Sequence, residues 1–357
     1  MKLFKCSNCS QPVYFENYFC VQCNALLGFD PQQMDFVSLK PFAGKVYIPV
    51  WADGNVTGPN PGYKYCYNKQ YNVCNWLIPY QSEMEYCVAC NLNHTIPNLS
   101  KTDHWDKWAR IEVAKHRLVY SLLRFNLPVT SKFQDEENGL AFNFMEDEHE
   151  DDDKRLLTGH DHGLITLNIE EADDAIIEMA RNKMDEVYRT LLGHFRHEVG
   201  HYYWDLLISK KGNEQSFRNV FGDERTDYEE ALKNHYSKDV SWQWQDRFIS
   251  AYAGSHPWED WAETWAHYLH IVDTLETGYS FGITLNPQIA ADEMRAILNI
   301  DPYSANDFND IIDRWIPLSF VMNSLNRSMG MKDSYPFVIN EVVKEKLRFI
   351  HTTIKNR

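Results

Sequence analysis

Apolar residues recur at steps of three and four in three stretches of the chain, and each stretch reads as an amphipathic helix. From Asp103, "DHWDKWARIEVAKHRLVYSLLRFNLP" keeps that period until Pro128 stops it. Tyr188, Leu192, Phe195, Val199, Tyr202 and Leu206 mark one face of a second helix, from Asp185 to Ile208, with His197 and His201 on the opposite face. Trp258, Trp261, Ala262, Trp265 and Leu269 mark the packed face of a third, and Pro257 suits its first turn. Leu164 to Ile169 reads as a strand. Upstream, "KPFAGKVYIPVWADGNVTGPNPG" alternates strand-like and turn-rich pieces. The pattern predicts an α+β chain that is mainly helical from residue 99 onward, with a small sheet.

The run "EDEHEDDDK", residues 146–154, reads as a solvated loop, because the glycine and ligand spacing of an EF-hand are missing. Residues 212–248, rich in charge and tryptophan, are a candidate lid. Since the chain has no run of about 18 apolar residues, no membrane span is expected. "MKLFKCSNCS" lacks the apolar core of an export signal, so the expected location is cytoplasmic. The net charge of -16 disfavours general nucleic-acid binding, which depends on neutralising phosphates.

Cysteine usage separates two chemistries. All 8 cysteines lie at or before Cys90. Without an export signal, clustered cysteines read as metal ligands before disulfides. "CSNCSQPVYFENYFCVQC" supplies Cys6, Cys9, Cys20 and Cys23 as two CxxC knuckles, enough to close one tetrahedral zinc site. A disulfide oxidoreductase would need only one such knuckle. Cys66, Cys74, Cys87 and Cys90 form a second candidate tetrad with one tight knuckle, and His94 is a possible substitute ligand. Both sites would be structural, and a ribbon of this kind suits a protein partner or intramolecular docking.

The helix around residue 197 carries "HEVGH". Two histidines four residues apart lie one above the other on a helix and can share an ion, while Glu198 projects about 100° further round. This is the HExxH arrangement, in which the glutamate is the general base of a zinc hydrolase. His194, one turn earlier, is read as a supporting or merely polar residue. His160 and His162, in "GHDHG", are read as turn residues, with metal ligation as the alternative.

A third ligand is sought in "ISAYAGSHPWEDWAETWAHYLHI". Glu259 is the first choice, with Glu263 one turn on accepting a hydrogen bond from a ligating histidine and fixing its tautomer. The reverse assignment stays open, as does a third histidine from His256, His267 or His270. Tyr252 could donate its phenol to a developing oxyanion, or simply be a core tyrosine.

The blocks "CSNCSQPVYFEN", "GHDHGLITLNI", "YRTLLGHFRHEVGHYYWDLL", "FGDERTDYEEAL", "SAYAGSHPWEDWAETWAHYLHI" and "NRSMGMKDSYPFV" resemble, almost end to end, a bacterial family of zinc-binding metallopeptidases with an N-terminal zinc ribbon. The pair "HEVGH" and "YAGSHPWEDWAE" is also similar to the active site of lethal-factor-like gluzincins. That second resemblance implies His197, His201 and Glu259 as ligands, Glu198 as base and Tyr252 as the assisting phenol.

Together these readings predict a zinc ribbon over residues 1–30, a second four-cysteine element over 31–98 and a zincin-like catalytic domain over 99–357. Three zinc ions per chain are expected, two structural and one catalytic, acting on a peptide or protein substrate. Two alternatives stand beside this: a zinc-stabilised binding module with little turnover, and a DNA-associated protease of the SprT-like kind, whose third ligand is a histidine.

Overall fold

The computed structural model describes residues 1–52, 62–146, 158–173, 176, 190–237, 244–289 and 292–357. Most of the acidic run, the segment before Thr190 that includes Tyr188, and residues 238–243 of the candidate lid lie outside the described residues. The chain divides into two compact units: residues 2–158 with 164–172, and Met1 with 159–163 and 173–357.

The first unit begins with a hairpin of β1 (Phe4–Lys5) and β2 (Pro12–Val13). Next come β3 (Leu26–Asp30), β4 (Asp35–Pro41), β5 (Tyr47–Val50), β6 (Tyr63–Tyr65) and β7 (Leu77–Pro79), a five-stranded antiparallel sheet in sequential order. β8 (Asn93–Thr95) precedes α1 (His104–Arg124). Asn126, in the left-handed region at φ 54°, turns the chain away two residues before Pro128. Phe4, Phe15, Phe29, Phe36, Trp76 and Tyr120 interlock at centroid distances of 4.8–6.3 Å, and Val37, Leu39 and Leu77 pack with Tyr63 in a further buried cluster. β9 (Ala141–Met145), β10 (Gly159–Asp161) and β11 (Leu164–Asn168) follow. β9 pairs in parallel with both β8 and β11, while β10 belongs to the second unit.

The second unit is helical. Among the described residues its helices are α2 (Leu191–Trp204), α3 (Glu214–Phe221), α4 (Tyr228–Ser237), α5 (Pro257–Ser280), α6 (Phe308–Ser328) and α7 (Glu341–Lys355), with a short ribbon of β12 (Thr284–Leu285) and β13 (Ala296–Ile297). The helix expected from Asp185 begins at Leu191, because Thr190 is extended and its hydroxyl caps Gly193 N at 2.9 Å. It continues past Trp204 as a π-helical turn, Asp205–Ser209.

α2 and α5 cross in contact at Gly200. A Cβ there would stand 3.1 Å from Ala262 Cα and 3.3 Å from Trp265 Cβ, and Trp261 Nε1 donates to Gly200 O at 2.8 Å. Trp261, Trp265 and Leu269 are buried as their spacing predicts. The other face of α2 is also buried, since α5 covers the histidines. Lys346 on α7 reaches the fully buried Asp260 at 2.6 Å, tying α7 to the same helix. Among the described residues, no helix is long and apolar enough to cross a membrane.

Candidate metal centre

α2 presents His197, Glu198 and His201, and α5 presents Glu259 and Glu263. The start of α5 is fixed by Pro257 in the first turn and by His256, whose Nδ1 accepts from Trp258 N at 3.1 Å while Nε2 donates to Thr226 O at 3.2 Å. This capping role takes His256 out of the ligand candidates. His267 is engaged with Tyr335 Oη at 2.8 Å and His270 with Arg196, so neither joins the donor set formed on α2.

The donor set that assembles is His197, His201 and Glu259, with all ligand atoms within 4.8 Å of one another. His197 Nε2 stands 3.2 Å from His201 Nε2 and 3.0 Å from Glu259 Oε2, and His201 Nε2 stands 3.5 Å from Glu259 Oε1. Ligands about 2.0–2.1 Å from a tetrahedral zinc stand roughly 3.3 Å apart, so these spacings fit one shared ion. Glu259 is 1% exposed, a setting in which a carboxylate needs a cation or donors close by.

Both carboxylates are accounted for. His197 Nδ1 donates to Glu263 Oε1 at 2.7 Å, which leaves Nε2 as the nitrogen facing the other donors, and Ser250 Oγ donates to Glu263 Oε2 at 2.6 Å. Glu259 is therefore the carboxylate grouped with both histidines, and Glu263 stands behind His197. Without an ion, burial opposes charge on His197, but hydrogen bonds and attraction from Glu259 and Glu263 raise its pKa well above the ordinary value. Burial likewise opposes ionisation of Glu259, yet His201 and His197 hold its carboxyl well below the usual range. Trp258 packs on the His201 ring at 4.0 Å.

Glu198, buried beside the set, faces His194, whose Nε2 lies 3.2 Å from Glu198 Oε1. Burial raises the carboxyl pKa, but the His194 hydrogen bond and charge outweigh it and lower the pKa overall. The Tyr252 ring lies 5.9 Å from the His197 ring, and burial, then the Glu259 charge, push its phenol far up, so it stays protonated. His160, on β10 rather than in a turn, lies with its ring 6.3 Å from that of His201 and outside the donor set. Its Nε2 accepts from Gly163 N at 2.8 Å. His162 is exposed in the turn at φ 44°.

In the first unit, Cys6, Cys9, Cys20 and Cys23 converge, with Cys6 Sγ 3.6 Å from Cys23 Sγ and Cys9 Sγ 3.6 Å from Cys20 Sγ. Disulfide sulfurs stand about 2.05 Å apart, whereas thiolates around one zinc stand about 3.7 Å apart. Each knuckle closes the same way: Ser10 N bonds Cys6 O and Asn24 N bonds Cys20 O, both at 2.9 Å, with Ser10 and Asn24 left-handed. The buried Cys66, Cys74, Cys87 and Cys90 converge likewise, Cys74 Sγ lying 3.7 Å from Cys87 Sγ. His94 is not part of this cluster; it is exposed, with Nδ1 3.0 Å from Asn143 Oδ1 and its ring stacked on Phe133.

Two residues near these sites were missed by sequence reasoning. Tyr228 on α4 donates to Glu259 Oε1 at 2.8 Å, and His116 on α1 faces the second tetrad. Neither carries a spacing signal: Tyr228 lies 31 residues before its partner and His116 42 after Cys74.

Donor sets of this kind define a zinc-binding protein. A family described as "Putative zinc-binding metallo-peptidase" matches residues 104–353, and a zinc-ribbon domain matches residues 3–101. The chain belongs to this metallopeptidase family. Uncharacterized proteins of Mycobacterium bovis and Mycobacterium tuberculosis are 41% identical over 355 residues, covering 99% of this chain and 95% of theirs. No solved structure matches the chain.

Proposed function

We propose that the chain is a zinc-dependent peptidase whose catalytic ion is held by His197, His201 and Glu259. The observation that carries this is the meeting of Glu259 with both histidine Nε2 atoms, at 3.0 and 3.5 Å, from a helix some sixty residues downstream. A zinc ion there supplies Lewis acidity toward a peptide carbonyl and makes water easier to deprotonate. Glu198, ionised and held by His194, takes the proton of the attacking water and returns it to the leaving amine. Tyr252, protonated throughout, donates to the carbonyl oxygen as it gains charge. Glu263 keeps His197 in the tautomer that offers Nε2.

The two cysteine tetrads add two structural ions, for three zinc per chain. The acidic chain suits a protein partner better than nucleic acid at the ribbon. A third histidine ligand, the mark of the DNA-associated alternative, is disfavoured because His256, His267 and His270 are engaged elsewhere.

The test pairs catalysis with metal counting. Wild type is expected to hydrolyse members of a peptide library and Glu198→Gln to fail while still binding three zinc ions. His197→Ala should hold two and keep its fold. Equal turnover by wild type and Glu198→Gln, or no turnover by a fully metallated wild type, removes the peptidase mechanism; two zinc in wild type removes the third site.

A further inference from the structure

The second cysteine tetrad has one donor more than a tetrahedral ion needs. His116 Nε2 lies 3.3 Å from Cys74 Sγ and 3.7 Å from Cys90 Sγ. Its other nitrogen, Nδ1, lies 2.6 Å from the backbone oxygen of Glu112. A carbonyl only accepts, so Nδ1 carries a proton, and it is Nε2 that faces the two sulfurs. That is the orientation of a ligating histidine, with its far nitrogen anchored to a carbonyl.

The distances agree with ligation. A nitrogen and a sulfur bound to one tetrahedral zinc, at about 2.0 and 2.3 Å from it, stand about 3.5 Å apart. The two observed separations straddle that value. His116 is buried, and Trp76 packs edge-on against it at 5.2 Å, so the ring is held in place.

A second ion beside the first is the other way to use these groups, since Cys90, Glu112 and His116 are also mutually close. The surroundings of Glu112 argue against it. Its Oε1 accepts from Lys115 and Asn93 at 2.8 Å and from Trp108 at 3.1 Å, and Lys115 is wholly buried. Another cation would sit beside that ammonium in a region of low dielectric.

We propose that His116 is a fifth donor of the second cysteine site, able to hold the zinc through Nε2 when Cys74 or Cys90 is withdrawn. The site then accepts two ligand sets, four cysteines or three cysteines and His116. Both tetrads group as four cysteines, and among the described residues the His116 contacts fall on the second. Loss of one thiolate would therefore cost the first site its ion, whereas loss of Cys74 or Cys90 would leave the second loaded.

The test uses the full chain, with zinc counted by elemental analysis and the second site read by cobalt substitution. Cys74→Ser is expected to keep the wild-type zinc count, with a weakened sulfur-to-cobalt charge-transfer band as nitrogen replaces sulfur. Cys74→Ser with His116→Ala is expected to lose one zinc, and Cys9→Ser alone to lose one. The proposal is overturned if Cys74→Ser alone loses an ion, or if the double variant keeps it. A wild type without zinc at this tetrad overturns the premise and the proposal together. Should Cys74→Ser fail to fold, His116→Ala with all cysteines intact decides the matter. Zinc leaves a four-cysteine site by shedding one thiolate, so without the fifth donor a chelator should remove it about tenfold faster. Equal release rates overturn the proposal.

Discussion

His197 joins Glu263 through Nδ1 at 2.7 Å while its Nε2 faces Glu259 at 3.0 Å, so one imidazole links two carboxylates a single turn apart on α5. The hydrogen bond on one side decides which nitrogen is offered on the other. Replacing Glu263 with Gln removes the charge that favours this tautomer and lets the ring turn. Zinc affinity at the centre is expected to fall about 10- to 100-fold with helicity unchanged. Competition with a chromogenic chelator measures it, and wild-type affinity in the variant would count against the role given to Glu263.

The same contacts set a pH dependence. The His197 pKa is raised well above its ordinary value, so without an ion the ring keeps its proton into the neutral range. The folded value exceeds the unfolded one of about 6.5, so its contribution to metal-free stability is full below that pH and is lost as pH rises through the folded value. For zinc the sign is opposite, because the proton must leave. Affinity should drop about tenfold per pH unit below the raised pKa, and isothermal titration in two buffers of different ionisation enthalpy should show proton release at neutral pH. Binding without proton release contradicts this.

Tyr228 reaches the proposed ligand Glu259 as well, donating to its Oε1 at 2.8 Å. Tyr228→Phe keeps the ring, which packs 5.2 Å from His256, and removes only the hydroxyl. The expected result is zinc affinity lower by about tenfold with little change in melting temperature. Unchanged affinity would make Tyr228 a packing residue only.

Gly200 sets how closely the two ligand helices approach. A valine there has no room, since the Cβ alone would stand 3.1 Å from the Ala262 backbone. Gly200→Val should destabilise the chain by about 1–3 kcal/mol, as overpacked sites do, and should weaken zinc binding as well, because the three proposed donors ride on the displaced helices. Denaturant unfolding and the zinc competition assay report the two effects separately. A destabilised variant with intact affinity would show that the site tolerates helix separation.

How much of this was legible in the sequence depends on distance along the chain. The cysteine knuckles and the pair His197 and His201 are local patterns, readable because a turn or a helix fixes the spacing of its own side chains. Glu259 and Glu263 were readable as one face of α5, and only a reason to bring α5 to α2 was lacking; Gly200 and Trp261 supply it. His116, Tyr228 and the capping by His256 depend on tertiary packing between distant elements, which no spacing encodes. On α2 the period holds for Phe195, Val199 and Tyr202, which are buried, while Leu192 and Leu206 are half-buried and the histidine face is covered as well. The early start assigned to that helix came from extending the period through Thr190, whose capping conformation interrupts it.

The crossing of α2 and α5 at Gly200 has a topological consequence. An ion gripped by His197, His201 and Glu259 fastens together two points some sixty residues apart, closing a loop that an unfolded chain would close only at an entropic cost. The centre is then a rivet as well as a reagent. Stripping the ion should lower the melting temperature of the helical unit while leaving it folded, so a chelator would take away a brace along with the reagent.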